Sequence, residues 1–272
     1  MLTEQFQSLG GLEVLSIEEA RKVNAREAPL LFGPVEDVAS AEDRIIAGTI
    51  RARVYQPHDK ATGTLVYFHG GGWAVGGLDT HDGVARFLCA HAPCTVVAVD
   101  YALAPEHPFP AALEDAWSAT RWAALNLPRP LAIVGDSSGG NLAAVVARRA
   151  RDSEIALALQ LLVYPPLDLV HGSHWARQYL QRRSAEDPGA SPLRANDLSG
   201  LAPALILSCE LDDLRAQADA YTERLKGAGV DVRHVVYPGL IHDAYRMPGV
   251  LPGARRMLED SATALAGAFA AA

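Results

Sequence analysis

LAIVGDSSGGNLAAVVARRA, residues 131–150, changes character twice along its length. It opens as an apolar run too short for a helix, passes through a turn of small residues, and continues as a helix-like, alanine-rich segment. Strand, tight turn and helix together are the setting in which an exposed serine nucleophile is held. The frame Gly-x-Ser-x-Gly fits Gly135, Asp136, Ser137, Ser138 and Gly139, which makes Ser137 the candidate nucleophile. Moving the frame by one residue would put Asp136 where a small residue is required. A phosphate-binding loop would end in Lys-Ser/Thr, and this turn does not.

Working outward, similar short apolar runs recur, each closed by a turn: TLVYF (64–68), TVVAVD (95–100), ALQLLVYP (158–165), ALILSC (204–209) and VRHVVYP (232–238). Their shortness and β-branching predict buried strands. RIIAGTIRARVYQP (44–57) alternates apolar and polar and predicts a strand or hairpin. Between them FPAALEDAWSATRWAALN, SGGNLAAVVARRARD and LRAQADAYTERLKGAG predict helices, the last stopping at Gly227 and Gly229. Near the start, SIEEARKVNAREAP predicts an amphipathic helix ended by Pro29. Strands alternating with helices predict an α/β fold with a mostly parallel sheet covered on both faces. The stretch 167–200 breaks the rhythm and predicts an insertion over the strand ends that shapes a site.

The 272 residues are enough for one large α/β domain, 1–272, with cap elements from about 1–40 and 167–200. A net charge of −8, with no dense Lys/Arg run, argues against a nucleic-acid partner. The first residues lack a basic, then apolar, signal pattern, and no window approaches a membrane span. Cys89, Cys94 and Cys209 are odd in number and have no metal-ligand spacing, so they read as buried free thiols. These features predict a soluble cytoplasmic protein with no cofactor and no metal.

YFHGGGWAVGG (67–77) follows the strand TLVYF directly. Three successive glycines let backbone N–H groups approach a ligand with no Cβ in the way. With the amide after the nucleophile, such a loop forms an oxyanion hole. Gly71, Gly72 and Ser138 are the predicted donors, with Gly70 as a spacer. Of nine histidines, His69 belongs to this loop, His58 and His91 flank turns, His171 and His174 lie in the insertion, and His234 sits within a strand pattern. His242 falls in the loop after the last strand, where the chain order Ser…Asp…His expects the base. For the acid, ALILSCELDDLRAQ offers Asp212 and Asp213, either of which could orient an imidazole, while Asp168 follows another strand end.

The blocks HGGGWAVGGLDTHD, YALAPEHPFPAALEDA, GDSSGGNLAA, ASPLRANDLSGLAPALILSCELDDLR and GLIHDAYRMPGVLP, in this order, resemble the hormone-sensitive-lipase-like esterases of the α/β-hydrolase fold. The resemblance runs from about Val54 to Met257. It implies a mostly parallel sheet of about eight strands with a small helical cap, and hydrolysis of short- to medium-chain carboxylic esters. It assigns Ser137 as nucleophile, His242 as base and Asp212, rather than Asp213, as acid. Small-molecule esters are then the partners, and a homodimer through the edge of the last strand is common in that family. The chain departs from the family pattern at Ser138, usually Ala, at Ala102, often Arg, and at His-Asp-Ala (242–244), usually His-Gly-Phe. The segment 167–187 is also shorter than the usual cap. Two alternatives share the fold: an amidase of the arylformamidase type, and a non-catalytic receptor like the gibberellin receptors of plants, which lack the catalytic histidine.

Overall fold

The apolar runs become the strands of one eight-stranded sheet. A computed structural model gives the fold and describes residues 12–272; the notional cap residues 1–11 lie outside the described residues. The strands are β1 (Ser40–Ile46), β2 (Ile50–Gln56), β3 (Thr64–Phe68), β4 (Thr95–Asp100), β5 (Leu131–Asp136), β6 (Leu159–Val163), β7 (Ala204–Leu211) and β8 (Val232–Ile241). Their spatial order is β1-β2-β4-β3-β5-β6-β7-β8. β1 and β2 form an antiparallel hairpin, β2 runs antiparallel to β4, and every other pairing is parallel.

Every residue of β3, β5 and β6 is buried, because helices cover both faces of the sheet. Seven α-helices lie among the described residues: α1 (Ile17–Phe32), α2 (Asp82–His91), α3 (Ala111–Asn126), α4 (Ser138–Asp152), α5 (His174–Leu180), α6 (Arg215–Gly227) and α7 (Ala254–Ala271). One face packs α3, α4 and α6 through Leu113, Leu142, Val145 and Leu225. The other packs α2 and α7 through Phe87, Leu88, Met257 and Leu265. From β3 the chain steps to β4 on one side, then returns to place β5 on the other side of β3. Connections therefore diverge between β3 and β5, and the crevice above their carboxyl ends is where an open α/β sheet holds a ligand. The glycine-rich loop leaves β3 there and the serine turn leaves β5.

The helix at the N-terminal side does not stop at Pro29; it runs to Phe32. Ser16 and Glu19 start it with a reciprocal capping box, the Ser16 hydroxyl accepting from the Glu19 N–H and the Glu19 carboxylate from the Ser16 N–H. Pro29 removes a donor near the end, and tertiary contacts outweigh that loss. The Phe32 ring occupies the space a side chain on Gly83 would need, and the Leu31 carbonyl accepts from the Gly249 N–H at 3.0 Å. Farther along, Arg21 donates to the Ala74 and Ala104 carbonyls and grips Glu106 with two bonds of 2.8 Å. α1 is thus fastened to the glycine-rich loop and to the segment after β4.

His91 closes α2 and flanks the turn at Ala92 and Pro93. The residues 167–200 hold α5 and a short 3-10 turn, Pro192–Arg194, pinned by a two-bond Arg194–Asp168 pair. No described helix is long and apolar enough to cross a membrane.

Candidate active site

Ser137 sits between β5 and α4 with φ 52° and ψ −121°. A positive φ at a residue with a Cβ costs on the order of 1–3 kcal/mol and persists only when the surroundings fix it. Here they do: the Ser137 N–H donates to the Val163 carbonyl, and its own carbonyl accepts from the Asn141 N–H. Gly135 and Gly139 are required by close approach. A Cβ on Gly135 would collide with the Gly139 carbonyl, and one on Gly139 with the Phe68 carbonyl. The turn therefore presses the start of α4 against the end of β3.

The Ser137 Oγ lies 2.8 Å from His242 Nε2, and His242 Nδ1 lies 2.7 Å from Asp212 Oδ2. A carboxylate oxygen only accepts, so Nδ1 carries the proton and Nε2 is left to accept from the serine hydroxyl. Asp212 is buried and its second oxygen accepts from the Leu214 N–H at 2.9 Å. Asp213 is not part of this chain of contacts; it lines the cavity above it. Burial pushes the His242 pKa down, but the Asp212 hydrogen bond and the charges of Asp243, Asp212 and Asp136 outweigh it and hold it above the ordinary value. The ring keeps 36% exposure toward the cavity, which weakens the burial effect in the free enzyme.

A cavity of about 400 Å³ opens on these side chains, and Gly71, Gly72, Ser137, Ser138 and His242 all line it. Gly71 and Gly72 hold φ of 122° and 59°. Among the described residues, the N–H groups of Gly71, Gly72 and Ser138 have no acceptor within the protein, while the Gly70 N–H is already spent on Asp136 Oδ1 at 3.1 Å. Asn24 of α1, Trp175 of α5 and Asp168 complete parts of the wall.

Below the loop lies a polar cluster that sequence reasoning missed. Asp136, fully buried, accepts from the Tyr67 hydroxyl at 2.6 Å and faces His81 Nε2 at 3.4 Å, an ion pair rather than a tight hydrogen bond. The Thr80 hydroxyl donates to the Gly77 carbonyl, so toward His81 Nδ1, 2.8 Å away, it can only accept. His81 Nδ1 therefore donates to Thr80, and Nε2 is turned toward the carboxylate. Burial pushes Asp136 up, and the His81 charge and the hydrogen bonds reverse this, leaving it lowered. The signal was at hand: a carboxylate at the end of a wholly apolar strand needs a partner. His69 is buried against Tyr101, its pKa pushed by burial to about 3, and Nδ1 meets the Gly70 carbonyl at 2.7 Å. It supports the loop from below and does not reach Ser137.

A second Ser–His–Asp set exists at Ser208, His234 and Asp219, with contacts of 2.8 and 3.3 Å. Ser208 is buried within regular strand β7, without the strained turn or free amides of Ser137. Residue types alone do not make the site.

A profile of the α/β hydrolase fold matches residues 65–246. The chain belongs to the α/β-hydrolase fold family. This α/β hydrolase is 42% identical over 224 residues to the carboxylic ester hydrolase LipN of Mycobacterium tuberculosis, covering 70% of the chain and 60% of that relative. It is 35% identical over 275 residues to an ethyl acetate hydrolase of Pseudomonas putida, covering 88% and 86%. Among solved structures, a hyperthermophilic esterase from the archaeon Pyrobaculum calidifontis superposes with a TM-score of 0.89 at 35% identity, covering 94% of this chain and 92% of that one.

Proposed function

We propose that this α/β hydrolase is a carboxylic ester hydrolase of the hormone-sensitive-lipase-like branch, acting on short- to medium-chain acyl esters. The observation that carries the reading is the line Ser137 Oγ, His242 Nε2, His242 Nδ1, Asp212 Oδ2, with steps of 2.8 and 2.7 Å, opening on a cavity rimmed by unspent amides. Ser137 attacks the ester carbonyl while His242 Nε2 takes its proton, and Asp212 holds the imidazole tautomer and stabilises the imidazolium. The carbonyl oxygen, now negative, accepts from Gly71, Gly72 and Ser138; each such donor is worth about 3–4 kcal/mol in the transition state. His242 then gives the proton to the leaving alkoxide. In the second half it draws a proton from water, which attacks the acyl-enzyme and frees Ser137.

The cavity of about 400 Å³ is toward the lower end of small-ligand pockets, roughly 300–1,000 Å³, which favours short acyl chains. The amidase alternative uses the same groups, and the relatives' names favour esters. The receptor alternative loses support from the paired Ser137 and His242. A p-nitrophenyl ester series from acetate to palmitate, with wild type and Ser137→Ala, tests the proposal. The expected profile peaks at short or medium chains, and Ser137→Ala loses on the order of 10⁴-fold or more in kcat. Wild-type turnover in the variant would overturn the mechanism, and a maximum at palmitate would overturn the chain-length assignment.

A further inference from the structure

We propose that Asp243 is a specificity-determining residue that selects esters whose alcohol portion carries a positive charge. This rests on the ester-hydrolase reading above and names a substrate class for it.

Asp243 follows the base directly and holds a left-handed backbone, φ 66° and ψ 0°. That conformation turns its carboxylate back toward the reacting atoms. Oδ1 stands 4.0 Å from His242 Nε2, the same nitrogen that faces Ser137 Oγ. Nε2 is the atom that hands a proton to the leaving alkoxide, so the alcohol portion of a bound ester departs past this carboxylate.

The other oxygen, Oδ2, lies 3.6 Å from Arg246 Nη2. Arg246 is only 6% exposed, and its Nη1 donates to Oδ1 of the buried Asn24 at 2.6 Å. Asp243 is 34% exposed. The cation is therefore the more buried member, held by α1, and the anion is the more exposed of the two on the cavity wall. The remaining charges along the wall do not reverse this sign. Asp168 is matched by Arg194, Asp212 is committed to His242, and Asp213 has no ion-pair partner among the described residues. Among the described residues, Arg246 and the histidines His81, His171 and His242 are the basic groups lining the cavity, and no lysine lines it.

A cation within about 5 Å of a half-exposed carboxylate gains a few kT before screening, and the Arg246 charge and salt reduce that. The expected discrimination is about five- to tenfold in kcat/KM.

The test uses two esters of the same shape, choline butyrate and 3,3-dimethylbutyl butyrate, with wild type, Asp243→Asn and Asp243→Gly. Asn and Gly are the residues that best tolerate a left-handed backbone, so the fold is kept. The readout is the ratio of kcat/KM for the charged ester to that for the neutral one. A change in His242 basicity affects both esters alike and cancels. The ratio should fall about fivefold or more in both variants, and in wild type it should fall as salt rises from about 0.02 to 0.5 M. A ratio unchanged within twofold across the variants and the salt series, with the neutral ester still hydrolysed, overturns the inference and leaves the ester-hydrolase reading standing. Failure of wild type on both butyrates and on p-nitrophenyl butyrate overturns both together.

Discussion

Replacing Asp136 by Asn changes one atom type in the interior and should be among the most damaging isosteric substitutions in the protein. The asparagine oxygen can still accept from the Tyr67 hydroxyl and the Gly70 N–H. What it cannot do is balance His81, whose Nε2 faces Asp136 Oδ2 at 3.4 Å with both residues buried. The amide brings no negative charge to the ring, whose charge is among the causes that hold Asp136 low. Removing one member of a buried ion pair costs about 3–5 kcal/mol, and at this chain length each kcal/mol moves the melting point by roughly 2–4 °C. The expected fall in Tm is therefore on the order of 6–20 °C at neutral pH, measured by calorimetry. Turnover should also fall, since the Gly70 N–H that anchors the glycine-rich loop loses a charged acceptor. Adding His81→Gln should recover part of the loss, because the two side chains act as a unit. A Tm within 2 °C of wild type, or strictly additive losses in the double variant, would refute the account.

Three further outcomes follow from the site. Activity requires a neutral Nε2, and the His242 pKa is held above its ordinary value; the acid limb of kcat/KM against pH should thus lie above about 6.5 and move down in Asp243→Asn, whereas an upward move would count against the charge account. Gly72→Ala would place a Cβ 2.5 Å from the Trp175 Cβ on α5, about 1 Å inside normal contact; the loop or α5 must shift, kcat should drop about 100-fold, and retention within threefold would exclude the assigned donor. Ser208→Ala should leave ester turnover within about twofold of wild type, because that serine is buried in a regular strand away from the cavity; a collapse of activity in this variant would mean the second set is catalytic.

Much of the sheet was legible because each inner strand is a short, mostly apolar run, and TLVYF and TVVAVD match β3 and β4 to the residue. β8 extends past its apolar run to Ile241, carried by its pairing with β7 across a register shift between Cys209 and Leu211. α2 and α7 went unread. α2 is only ten residues long and its start at His81 has no side-chain cap, so neither a long window nor a start signal marks it. α7 opens on Gly253 with no side-chain cap, so it lacks the start signal that Ser16 gives α1. Pro29 misled because a local breaker was read without the Phe32 and Leu31 contacts that hold the last turn. At the site, residue types and chain order singled out Ser137 and His242, but adjacent Asp212 and Asp213 are equivalent in spacing. The resemblance selected Asp212, and the direction of the chain beyond β7 turns that carboxylate to His242. The Asp136–His81 pair joins residues 55 positions apart through the packing of the loop after β3 against β5, and no local pattern carries that.

The grip of Arg21 on Ala74, Ala104 and Glu106, together with the Asn24–Arg246 contact, sets an order of failure for the molecule. α1 adds no strand to the sheet, yet one of its side chains is cavity wall and another braces the glycine-rich loop. Its attachments are few and partly solvent-exposed, so it is the element that heat or a protease frees first. Catalysis should then be lost while the eight strands are still paired, with the inactivation temperature below the temperature at which the sheet melts.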